Sequence, residues 1–193
     1  MQLQLAIVIG AIIVGGALTA NLAFMDGSDT ANSMKSTAGI MGHLTLTATN
    51  EDGEIIAYRQ TDNVVINSGD DCLIEKTFGV SFNTCTAAGN PYTTVHIGTG
   101  AAGSPTETNT ALVTQVASTG ATTVGSYVQA ATDQGASVTI TADFLDVSAA
   151  IDEAALMNGA LLQDALAIQE FAEISLGEND DLTIEWTVTI DGS

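Results

Sequence analysis

The residues of this chain able to do chemistry are few and scattered. Besides its carboxylates it has two histidines, His43 and His96, and two cysteines, Cys72 and Cys85. A zinc site would need a close pair such as CxxC to begin it, and none occurs. Both histidines fall in alternating, strand-like segments, where a core or surface histidine is expected in place of a general base. No serine stands in a nucleophile-elbow pattern. Gly98-Thr99-Gly100 and Gly103 are not followed by a helix start and a lysine, so they read as a loop between strands and not as a phosphate loop. The acid groups Glu51-Asp52-Glu54, Asp70-Asp71 and Glu178-Asp180-Asp181 offer the hard oxygen ligands that Ca²⁺ takes. They lack EF-hand spacing, however, and read as solvated turn acids. The sequence therefore assigns no catalytic residue, no metal and no cofactor, and the chain is not expected to be an enzyme.

Cys72 and Cys85 stand thirteen residues apart. A bridge between them would close a loop worth up to ~3 kcal/mol. An even pair behind an export-like N-terminus reads as a disulfide formed in an oxidising, extracellular setting. Two buried thiols of a cytosolic protein are the other reading.

Charge narrows the partners. Three Lys and Arg stand against 23 Asp and Glu in 193 residues, a formal charge of −20. Lys35, Arg59 and Lys76 cannot build a patch that neutralises phosphates, which excludes nucleic acid, and docking on anionic lipid head groups is disfavoured for the same reason. What remains is an acidic, Thr-rich outer surface kept soluble by like-charge repulsion.

The elements that must carry these residues divide into two kinds. Met1 to Met25 contains no charged side chain, and the first acid is Asp26. From Leu3 to Phe24 only Gln4, Thr19 and Asn21 interrupt the apolar run, which fills every helical face. As a helix, about 22 residues would reach ~33 Å, enough to cross a bilayer. Ala6 and Gly10, Ala11 and Gly15, and Gly16 and Ala20 are each four apart, the small-xxx-small spacing that lets helix backbones approach. The expected assembly helix thus presents Leu3, Ala6, Ile7, Gly10, Ala11, Val14, Gly15, Gly16, Ala20 and Phe24 to copies of itself. A hinge linker over 26–39 follows, rich in turn formers.

Residues 40–193 read as strands. His43 to Thr49 alternates, Asn50-Glu51-Asp52-Gly53 is a turn, and Glu54 to Gln60 returns as the partner of a hairpin. Val64 to Ile66, Tyr92 to Ile97 and Val138 to Leu145 are further strands. Leu182, Ile184, Trp186, Val188 and Ile190 share one face of a C-terminal strand, with the single tryptophan placed to fill a sandwich core. Ala149 to Glu173 has helix-forming composition, yet Asn158-Gly159 is a hairpin signal; it reads as short strands flanking a turn, with one helical turn. The expected class is α+β: a long apolar N-terminal α-helix over 1–25, then a mainly antiparallel β-sandwich, Ig-like or jelly-roll-like.

This arrangement resembles the archaeal type IV pilins, with Met1 to Phe24 as the helix and roughly residues 40–193 as the outer domain. The resemblance implies an extracellular pilus subunit, membrane-inserted before assembly, whose helices pack in the core of a helical homopolymer used for adhesion. Position 5 is Leu5, where bacterial type IV pilins carry a glutamate, and no cleavage motif is visible. A weaker resemblance links Ile97-Gly98-Thr99-Gly100, Thr110-Ala111-Leu112 and Asp181 to Ile190 with β-sandwich domains of phage tails and other appendages. A membrane-anchored surface domain that does not polymerise, or a viral capsid or tail protein, are the alternatives.

Overall fold

The computed structural model describes residues 39–80, 85, 90–100, 103–120, 123–128, 135–159 and 165–191. In chain order they form β1 (Gly39–Thr49), β2 (Ile55–Asp62), β3 (Val64–Val65), α1 (Asn67–Phe78), β4 (Thr94–Thr99), β5 (Thr114–Gly120), β6 (Thr123–Val128), β7 (Ala136–Phe144), β8 (Ala150–Met157), β9 (Ala165–Ser175) and β10 (Asp181–Asp191). Two five-stranded sheets result, ordered β2-β1-β10-β7-β6 and β3-β9-β8-β4-β5. All their strand pairs are antiparallel.

Period-two alternation decides which side of each strand turns inward. Leu44, Leu46 and Ala48 of β1, Ile140, Ala142 and Phe144 of β7, and Leu182, Ile184 and Trp186 of β10 bury against Val95, Ile97, Ala154, Leu156 and Ala167 of the other sheet. Trp186 is fully buried, and its indole N–H donates to Asn63 Oδ1 at 2.8 Å. Gly42 on β1 makes that possible, because a Cβ there would lie 1.7 Å from the same oxygen. The inward row of β10 runs out before its end: Val188 is half-buried and Ile190 is 54% exposed, so Ile190 is not a core residue. On the outward face of the first sheet, hydroxyls pair across strands, Thr139 with Thr187 at 2.9 Å and Thr183 donating to Asp143 at 2.8 Å.

The α+β class expected from the sequence is corrected. The described residues are mostly β, in two antiparallel sheets with one helix of 12 residues. No helix among them is long and apolar enough to cross a membrane. The helical content sits instead in α1, a connection between β3 and β4 where strands were expected to follow one another. The segment 1–25, on which the long helix and its assembly residues were placed, lies outside the described residues, as does most of the linker.

The segment with helix-forming composition is β-structured. β8 and β9 pair from Ala150–Ser175 to Met157–Ala165, longer strands than the sequence implied and, among the described residues, without a helical turn. Burial on both sides explains this: Ile151, Ala154 and Leu156 face the inter-sheet core, while Ala155 and Met157 belong to a second apolar cluster.

Candidate functional site

The second cluster marks where the molecule departs from a plain sandwich. Ile66, Ala155, Met157, Ala165 and Ile168 are buried together, with Val64 and Leu112 packed against them. By strand alternation they occupy the side of the β3-β9-β8-β4-β5 sheet away from the inter-sheet core. Leu112 comes from the β4–β5 connection, which therefore lies as a strap over that sheet.

Three carboxylates hold the strap by its backbone. Gly100 N donates to Asp152 Oδ2 at 3.3 Å and Gly103 N to Glu170 Oε2 at 3.0 Å. At the far end, Val113 N and Thr114 N donate to the two oxygens of Glu153, each at 3.0 Å. Glu153 is 1% exposed, and its burial is tolerable because charge-assisted bonds from two N–H groups replace lost water. The glycine at position 98, beside a β-bulge, gives it room: a Cβ on Gly98 would lie 2.5 Å from Glu153 Oε1. In between, Thr106 and Asn109 form a local turn, with Thr106 N donating to Asn109 Oδ1 at 2.9 Å. Asn67 N donates to Glu107 O at 2.8 Å, which ties the strap to the start of α1.

Beside the strap's first residues opens a cleft of about 660 Å³, lined among others by Asp62, Asp152, Gln169, Glu170, Phe171 and Glu173. Its polar groups serve the fold: Asp152 and Glu170 hold strap N–H groups, and Gln169 Nε2 donates to Thr61 Oγ1 at 3.0 Å. Among the described residues no group of three or more His, Cys, Asp or Glu is arranged to hold a metal ion. The cleft's carboxylates repel anions, and its mouth is open to solvent.

The residues singled out by sequence are placed as follows. Cys72 on α1 and Cys85 are joined by a disulfide. His43 is exposed, its Nδ1 2.8 Å from Asp62 Oδ1. His96 is 2% exposed and held at both ring nitrogens, Nδ1 3.0 Å from Gln115 Oε1 and Nε2 3.0 Å from Gly159 O. With both nitrogens occupied it is a buried structural histidine. The acid groups do not converge. Asn50 Oδ1 organises the β1–β2 turn by accepting from Asp52 N and Glu54 N, and Asp180 Oδ2 accepts from Gly177 N in the β9–β10 turn. Asp70 and Asp71 lie on α1 instead of in a turn. The Asp70 carboxyl is raised above its ordinary range, first by desolvation and then by the charges of Asp71 and Glu107. The assembly residues Leu3 to Phe24 lie outside the described residues.

Sequence reasoning missed the strap and its three acids. Asp152-Glu153 stands in a run of apolar residues (AIDEAALM), and an acid inside a strand flanked by core positions is the available signal. No family model, curated protein or solved structure matches the chain.

Proposed function

We propose that this chain is the structural, non-enzymatic subunit of an extracellular filament, in which the apolar residues 3–24 of successive copies pack together and the bridged β-sandwich is displayed outside for adhesion. The observation that carries the reading is a contrast within the chain. Residues 1–25 hold no charged side chain, while the two sheets bury Trp186 with rows of Leu and Ile between them and residues 26–193 carry the whole −20 formal charge. A segment of that kind is driven out of water at about 25 cal/mol per Å² and finds an equivalent apolar surroundings only in a bilayer or among its own copies. A contact that joins unlike surfaces of successive copies, repeated with a rise along the helix axes and so without closing, generates a filament. The Cys72–Cys85 bridge supports an oxidising compartment, and the histidine and acid geometry offers no competing catalytic reading.

Negative-stain microscopy of the detergent-free protein, before and after removal of residues 1–25, tests this. Thin uniform filaments that vanish on truncation, leaving a folded monomer, are expected. Filaments that survive truncation would move assembly into the sandwich. A full-length chain that forms no filament would leave an anchored surface domain in its place.

A further inference from the structure

Asn158, at the end of β8, sits on the disulfide. Asn158 follows the last residue of β8 and is 1% exposed. Its amide Nδ2 lies 3.8 Å from Cys72 Sγ and 3.8 Å from Cys85 Sγ, a weak donor contact to both sulfurs of the bridge. The next residue, Gly159, is anchored through its carbonyl oxygen by His96 Nε2. Asn158 is the one asparagine in the sequence followed directly by glycine.

That dipeptide carries a latent reaction. The backbone nitrogen of Gly159 can attack Asn158 Cγ: the N–Cγ bond forms, the Cγ–Nδ2 bond breaks, and the amide nitrogen leaves as ammonia carrying the proton released by the attacking N–H. Water then opens the five-membered imide to aspartate or its β-linked isomer. No oxidant or reductant is consumed. Glycine favours the attack because it has no Cβ to block the approach and leaves the backbone free to turn. The attack also needs the amide to swing toward the following peptide nitrogen and water to relay the proton. A buried amide seated on two sulfurs lacks both.

We infer that Asn158 is a deamidation site held closed by the Cys72–Cys85 bridge, so that reducing the bridge commits the chain to an irreversible change at the end of β8. Reduction by a thiol or phosphine separates the two sulfurs, removes the shared seat of the amide and unties Cys85 from α1. The carboxylate formed afterwards would be a charge where a neutral amide stands 1% exposed, which disfavours its return to that seat. The inference stands whether or not the chain polymerises.

Full-length protein incubated at neutral pH, oxidised or held reduced by a phosphine, provides the test. The peptide containing Asn158 is followed by mass spectrometry and the sheet content by circular dichroism. Conversion of Asn158 is expected to be about tenfold faster in the reduced form, the order expected when a seat worth about one hydrogen bond is lost, with sheet content retained. A Cys85→Ser chain should match the reduced form, and Gly159→Ala should remove most of the acceleration. Equal rates in the two redox forms, acceleration seen only with loss of the sheets, or acceleration unchanged by Gly159→Ala would each overturn the inference.

Discussion

Glu153 combines near-complete burial with two backbone donors, and both N–H groups lose their acceptor if it is removed. Glu153→Ala should lower unfolding free energy by about 2–3 kcal/mol, read from urea midpoints, and Glu153→Gln by about half as much because one acceptor survives. An alanine variant as stable as the parent would show that the strap does not depend on this latch. Asp70 works in the opposite direction. Its carboxyl is raised in the folded state, so the folded chain binds that proton more tightly than the unfolded one, whose value stays near 3.8. Ionised Asp70 therefore costs stability, a cost that is absent below the ordinary value and grows as pH rises through the folded-state value. Asp70→Asn should raise the urea midpoint at neutral pH and leave it unchanged at about pH 3. None of this was legible beforehand: Asp70 read as a turn acid and Glu153 as part of a helix-like composition, because neighbours distant in sequence set both environments.

At the scale of elements, legibility followed periodicity. β1, β7 and β10 alternate cleanly over seven residues or more, β2 was signalled by the turn before it, and each stands close to where these signals put it. α1 did not declare itself. Its sequence, NSGDDCLIEKTF, begins with turn formers, and Ile66 at its N-cap makes no side-chain capping bond. The overlooked signal was Gly79, in the left-handed conformation at φ 66°, whose N–H closes the helix on Glu75 O. β5 and β6 carry too many small and polar residues to alternate visibly. What fixes α1 is contact: a Cβ on Gly69 would lie 2.5 Å from Leu166 O and 2.7 Å from Leu166 Cα, both backbone atoms of β9. Gly69→Ala should therefore cost about 1–3 kcal/mol and lower the thermal midpoint, since neither strand nor helix can yield cheaply. A neutral result would mean that α1 rides loosely on the sheet.

Across the whole molecule, the sandwich depends on its last strand. β10 lies between β1 and β7 at the centre of its sheet, pairs with both over most of its length and supplies Trp186. A chain ending at residue 180 should give no stable sheet signal and be digested rapidly by protease; a folded product would show that β1 and β7 can close the gap by themselves. The overall class was misjudged because weight was given to the N-terminal apolar run, while the described residues assign their helix to a connection and their remaining elements to sheets.

The register of β1 with β10 also sets how the sandwich would bear a pull. Gly39 stands opposite Asp191 and Thr49 opposite Asp181, so the two strands run side by side with Gly39 and Asp191 at one pole. Tension entering at Gly39 and resisted at the far pole acts along this ladder and loads its hydrogen bonds in parallel, as shear. Tension between Gly39 and Asp191 would instead peel them apart one at a time. A body held at Gly39 and gripped at its distal pole is thus built to be mechanically strong in the first direction and weak in the second.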